Sequence, residues 1–139
     1  MIELDNQTSF VVDLTTLTLI TDSLTQKDIE LIVTTSQEMK IINLEHRNID
    51  KDTDVLSFPY EDMPMAPLGS IVICIEHVQD KAKDLGHSEN DEFILLFIHG
   101  LLHLLGYDHE VDNGEMRDEE SRLIQKFNLP SSLIVRNDG

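Results

Sequence analysis

Apolar residues along this chain recur with two periods, and the switches between them mark out the elements. Residues 2–5 read as a short strand. Residues 11–24, VVDLTTLTLITDSL, are two-valued: the apolar spacing suits a helix, while the Val and Thr content suits a strand. We read them as helix. Residues 28–34, DIELIVT, read as a strand, and Thr35-x-x-Glu38 then has the form of a capping box. Met39, Ile41, Ile42 and Leu44 give the helix that follows an apolar stripe.

Residues 54–58, DVLSF, form a third strand stopped by Pro59, and PYEDMPMAP, with three prolines in nine residues, predicts an exposed loop. Gly69 precedes SIVICI, an unbroken apolar run that suggests a strand covered on both faces. Residues 76–85 look helical. Ser88-x-x-Asp91 can cap a long helix through FILLFIHGLLHLL, and acids in its first turn complement the helix dipole. That helix is apolar nearly all round, so it belongs inside the domain. Gly106 offers it a stop, and residues 115–127 supply a charged, amphipathic last helix. The pattern is α+β: a single domain over residues 1–139, with a small mixed sheet of about four strands packed with about five helices.

Charge changes the picture. Ten Lys and Arg stand against 27 Asp and Glu, a net charge of −17. Phosphate binding normally draws on clustered basic residues, and the ten here are scattered, so charge alone argues against nucleic acid. A local site that holds a divalent cation can overrule that average. The N-terminus lacks the basic region and apolar block of a secretory signal. The most apolar stretch, residues 93–105, is shorter than the ~20 residues of a membrane span. Cys74 is alone, so no internal disulfide forms. A cytoplasmic protein is expected, with neither membrane nor DNA as a partner.

The candidate chemistry lies in HGLLHLLGYDH, residues 99–109, which holds three of the six histidines. Residues four apart on a helix share a face, so His99 and His103 can point at a common centre. A positive φ at Gly106 would let the chain swing back and bring His109 to that centre. Three neutral imidazoles with an open fourth position make a catalytic zinc site on the central buried helix, whereas structural sites are usually closed by a fourth protein ligand. Zinc, one ion, suits the set; nickel and other divalent metals also bind imidazole. Against this stands a core histidine with one hydrogen bond, but three such residues would each need a buried partner.

The skeleton is also that of metzincin peptidases, H-E-x-x-H-x-x-G-x-x-H, except that Gly100 stands where the general-base glutamate would be. A mid-helix glycine costs about 1 kcal/mol against alanine, so it needs a reason: close packing, or room beside the metal for a bulky substrate.

HGLLHLLGYDH also resembles the signature H-G-x-L-H-L-x-G-Y-D-H of the YbeY family. INLEHRNIDKDTDVLSFPY is similar to that family's L-N-x-x-(aromatic)-R-x-x-D-x-x-T-D-V-L-S-F, and LGSIVIC and residues 116–124 match in pattern. The similarity covers roughly residues 39–126. His46 replaces the usual aromatic, Ile42 a leucine, and Ser70 an aspartate, which puts in doubt any role of that acid. The resemblance implies a zinc-dependent, single-strand-specific endoribonuclease acting in ribosomal RNA (16S 3′ end) maturation and ribosome quality control. His99, His103 and His109 match the family's metal ligands, and Arg47 matches an arginine that matters for its activity. Single-stranded or ribosomal RNA is the implied partner, with ribosomal proteins as further candidates.

In that chemistry the metal at His99, His103 and His109 polarises a phosphoryl oxygen, and Arg47 binds the phosphate through its planar fork. Apart from the resemblance, a surface salt bridge is the commoner fate of an arginine such as Arg47. Asp108 would either orient an imidazole or cap the turn, and Tyr107 would pack. His46, His77 and His87 lack ligand spacing, and the acids of residues 110–120 read as a solvated helix start. Two other functions compete with the endoribonuclease: a zinc peptidase or other metallohydrolase, and a non-catalytic ribosome-associated factor whose metal serves folding.

Overall fold

Asp13 settles the two-valued segment near the N-terminus. In the computed structural model, which describes residues 1–107 and 114–129, Asp13 Oδ1 accepts from the Thr16 amide at 3.2 Å and Oδ2 from the Thr16 hydroxyl at 2.7 Å. That cap opens helix α1 (Leu14–Asp22), whose Leu17, Ile20 and Thr21 are buried at helical spacing. Strand β1 (Ile2–Asn6) precedes it and strand β2 (Ile29–Thr34) follows. Helix α2 (Ser36–Arg47) starts on the Thr35 hydroxyl, which accepts from the Glu38 amide at 3.4 Å. It ends at Asn48, in left-handed backbone with φ 58°.

Strands β3 (Val55–Pro59) and β4 (Gly69–Cys74) come next, then helices α3 (Ile75–Leu85), α4 (Glu89–Leu104) and α5 (Glu115–Lys126). Among the described residues these five helices and four strands agree with the sequence reading, with bounds shifted by one to three residues. The strands form one sheet in the order β1-β2-β4-β3, parallel except for β3, which runs antiparallel to β4.

All six residues of β4 are buried, as its unbroken apolar run implied. Strand alternation sends Ile71 and Ile73 into the larger core with α1, α3, α4 and α5. Val72 and Cys74 enter a smaller core with Met39 of α2 and Leu56 of β3. Ser70 shares the face of Val72 and Cys74, opposite α4. The departure from the family pattern at Ser70 therefore lies across the sheet from the histidines.

Helix α4 organises the larger core. It buries nine apolar side chains, each worth about 1.5–3 kcal/mol when fully buried, whereas α2 buries only Met39. Between residues 92 and 104, only His99 and His103 escape full burial. The seat of α4 on the sheet depends on two glycines. A Cβ on Gly100 would stand 2.9 Å from Ile71 Cγ2 and 3.2 Å from Ser57 Oγ. One on Gly69 would stand 2.7 Å from Leu104 Cδ2 and 2.5 Å from the Phe58 carbonyl oxygen. Gly100 faces the sheet, so close packing, rather than space beside the histidines, accounts for it.

Candidate metal centre

One turn of α4 separates His99 from His103, and the two rings stand edge to face, centroids 4.7 Å apart. Their Nε2 atoms approach to 3.2 Å. The other nitrogen of each ring is engaged elsewhere. His99 Nδ1 lies 3.0 Å from Oε1 of Glu120 on α5, and His103 Nδ1 lies 2.9 Å from the Tyr107 carbonyl oxygen.

The Tyr107 carbonyl oxygen only accepts, so His103 Nδ1 carries the proton, and a His99 ring that donates to the Glu120 carboxylate carries its own on Nδ1. In two neutral rings the Nε2 lone pairs then face one another across 3.2 Å. Two such lone pairs repel, and a cation between them would turn the same approach into an attraction. Two nitrogens bound to one tetrahedral zinc at about 2.0–2.1 Å sit about 3.3 Å apart, so the observed spacing fits a shared ion. A carboxylate and a backbone carbonyl are the usual outer partners of metal-bound imidazoles.

The turn after α4 makes the second of these contacts. Gly106 takes φ 102°, and its amide donates to the His103 carbonyl at 3.1 Å. The chain reverses, and the Tyr107 amide donates to the Leu102 carbonyl at 3.0 Å, which brings the Tyr107 carbonyl to His103. His109 and Asp108 lie outside the described residues. Among the described residues no group of three His, Cys, Asp or Glu is placed to hold a metal ion.

The histidine pair opens on a cleft of about 530 Å³, which Arg47, Asp54, Val55, Ser57, Pro59 and Tyr107 also line. Arg47 stands in the last turn of α2, and among the described lining residues it is the one permanent cation. Among the described residues no acid forms an ion pair with it. Asp54 turns Oδ1 onto the Val55 amide at 2.8 Å.

The remaining histidines are structural. His46 packs its ring on Phe58, centroids 5.0 Å apart, in the place of the family's aromatic. His77 Nε2 lies 3.0 Å from Asp52 Oδ2, and His87 Nε2 lies 3.3 Å from the buried Glu92. The solvated reading of the late acids fails at Glu120, which is 2% exposed. It lies on the buried stripe of α5 with Met116, Leu123 and Ile124, and an acid at a core position of an amphipathic helix was the available signal.

Comparison with known proteins agrees with the fold and the motif. The family model described as Endoribonuclease YbeY matches residues 2–128. A protein of that description from Sulfurimonas denitrificans is 66% identical over 139 residues, covering 100% of both chains. Another from Aliarcobacter butzleri is 61% identical, covering 99% of each. A solution structure from Thermotoga maritima superposes with a TM-score of 0.64 at 24% identity, over 91% of this chain and 89% of that one. At that identity it bears on the fold alone.

Proposed function

The chain belongs to the YbeY endoribonuclease family, and from that membership we propose that it is a metal-dependent endoribonuclease of single-stranded RNA, acting in ribosomal RNA maturation. The observation that carries the metal centre is the 3.2 Å approach of the His99 and His103 Nε2 atoms while both Nδ1 atoms are engaged elsewhere. His99 and His103 would hold the ion, with His109 as the third ligand. When bound, a zinc or other divalent ion there supplies Lewis acidity toward a phosphodiester and a nucleophile at neutral pH.

The chain's own groups have distinct tasks. Glu120 and the Tyr107 carbonyl hold the two imidazoles in one tautomer and one orientation. Arg47, across the same cleft, binds a phosphate oxygen pair through its guanidinium fork and stabilises charge that develops as the bond breaks. Gly100 packs the helix against the sheet where a metzincin would carry its general base, which argues against peptidase chemistry. No described helix is long and apolar enough to cross a membrane. We take residues 1–139 as one catalytic domain working in the cytoplasm, on ribosomal RNA and beside ribosomal proteins.

The deciding experiment joins elemental analysis of the purified protein to cleavage of a single-stranded RNA. About one metal per chain is expected, with cleavage abolished by chelator and restored by the metal. His103→Ala and Arg47→Ala should each lose cleavage while the circular dichroism spectrum is retained. RNA cleavage that both variants keep, or casein cleavage that survives Arg47→Ala, would overturn the reading.

A further inference from the structure

The cleft is short of positive charge, and one of its walls is the free edge of a strand. Among the described residues β3 pairs on one side only, with β4. The Cys74 amide donates to the Asp54 carbonyl at 2.9 Å and the Tyr60 amide to the Leu68 carbonyl at 3.1 Å. With the register Val55↔Ile73 to Pro59↔Gly69, these two bonds fix which residues of β3 face its neighbour. Leu56 and Phe58 turn their backbone groups toward β4. Val55, Ser57 and Pro59 turn theirs the other way.

Those three outward positions are not equivalent. The Val55 amide is already held by Asp54 Oδ1 at 2.8 Å. Pro59 has no N–H. Among the described residues the Ser57 N–H is thus the one donor of this edge that no group accepts from. Its own carbonyl points the same way, so Ser57 presents a donor and an acceptor side by side at the wall of the cleft that holds His99, His103 and Arg47. The Ser57 hydroxyl is occupied elsewhere, donating to the Gly100 carbonyl at 3.2 Å.

We propose that the outward N–H and C=O of Ser57 form a subsite for the Watson–Crick edge of an unpaired nucleobase. The inference rests on the RNA reading above and adds to it. A base edge of the uracil or guanine kind offers a carbonyl beside an N–H, the complement of what an outward strand residue offers. In a duplex that edge is occupied by the partner base, so only a single strand can use the subsite. Uncharged recognition also suits a chain of net charge −17, in which phosphate contacts have few cations to meet. A peptide strand could add to the same edge, but the single permanent cation among the described lining residues is Arg47, whose fork matches a phosphate.

Two measurements test it. In an amide NMR titration of the full chain, the Ser57 cross-peak should move on addition of a short oligouridylate. It should stay in place with an abasic oligomer of the same length. Ser57→Pro removes the outward N–H at a position equivalent to Pro59 and leaves the ladder to β4 intact, whereas Ser57→Ala removes only the hydroxyl. Ser57→Pro should weaken oligouridylate binding about tenfold, Ser57→Ala less than about threefold, and neither should alter abasic binding.

An unmoved Ser57 cross-peak while the RNA binds, or abasic RNA bound as tightly as oligouridylate, overturns the subsite. So does a shift produced by an extended peptide and not by RNA. If the wild-type chain cleaves RNA and Ser57 stays silent, only this inference fails. If it neither binds nor cleaves RNA, the reading beneath it fails as well.

Discussion

His99 and Glu120 meet across two helices, Nδ1 of one 3.0 Å from Oε1 of the other. The carboxylate is 3% exposed and the imidazole 28% exposed, so the pair lies at the base of the cleft with the acid inside and the ring half out. A buried carboxylate there fixes the ring plane and its tautomer, and both favour a cation at the opposite nitrogen.

Glu120→Gln keeps the shape and an acceptor oxygen but removes the charge. Metal affinity should fall by about 10–100-fold, measured by competition against a chromophoric chelator. Unchanged affinity would show that the acid serves the packing of α5 on α4 and nothing more.

Gly100→Ala weighs helix propensity against packing. Alanine gains about 1 kcal/mol over glycine inside a helix. The added Cβ would lie 2.9 Å from Ile71 Cγ2, an atom on a β-branched side chain of a fully buried strand that has little room to yield. Overpacking of this kind costs about 1–3 kcal/mol, so a net loss of about 1 kcal/mol is expected. Urea denaturation reads it out, and a more stable variant would contradict the account of Gly100.

Most of the fold was legible because local signals agreed. The caps at Thr35 and Ser88 stand where side-chain oxygens accept from the third residue on, and the apolar run of β4 is buried throughout. Strand order was not legible. That β3 ends at the sheet edge depends on which distant strands meet, and no local pattern carries that information. The site divides in the same way. The spacing of His99 and His103 was readable within one helix, whereas Glu120 and Arg47 reach the cleft from α5 and α2. Glu120 was missed because its neighbours, residues 115–122, are mostly charged and suggest a solvated helix.

Asp52 and His77 give an acid-limb prediction. The hydrogen bond from His77 holds the Asp52 carboxyl below its usual range. A carboxylate depressed in the folded state stabilises above its unfolded pKa, about 3.9, and loses that contribution as pH falls through the folded value. Asp52→Asn should therefore lower the thermal midpoint at pH 7, with the gap to wild type closing below about pH 4. The pair is partly solvated, so the gap is small. A gap that persists unchanged in acid would assign the effect to packing.

Arg47 offers two properties, a charge and a fork, and they can be separated. Arg47 lines the cleft of the histidine pair from the last turn of α2. If the charge alone matters, lysine should replace it. If two parallel N–H bonds to phosphate oxygens matter, lysine should keep affinity and lose rate, because an ammonium is a point charge on a flexible stem. Arg47→Ala should lower kcat by about 10²–10³-fold, the usual effect of losing one donor to transition-state charge. It should also reduce the salt dependence of single-strand binding by about 0.7 in log–log slope, one phosphate contact's share. Arg47→Lys should restore that slope while recovering no more than about tenfold of the rate. Full recovery of kcat by lysine would reduce Arg47 to a phosphate anchor and leave charge stabilisation to the metal centre alone.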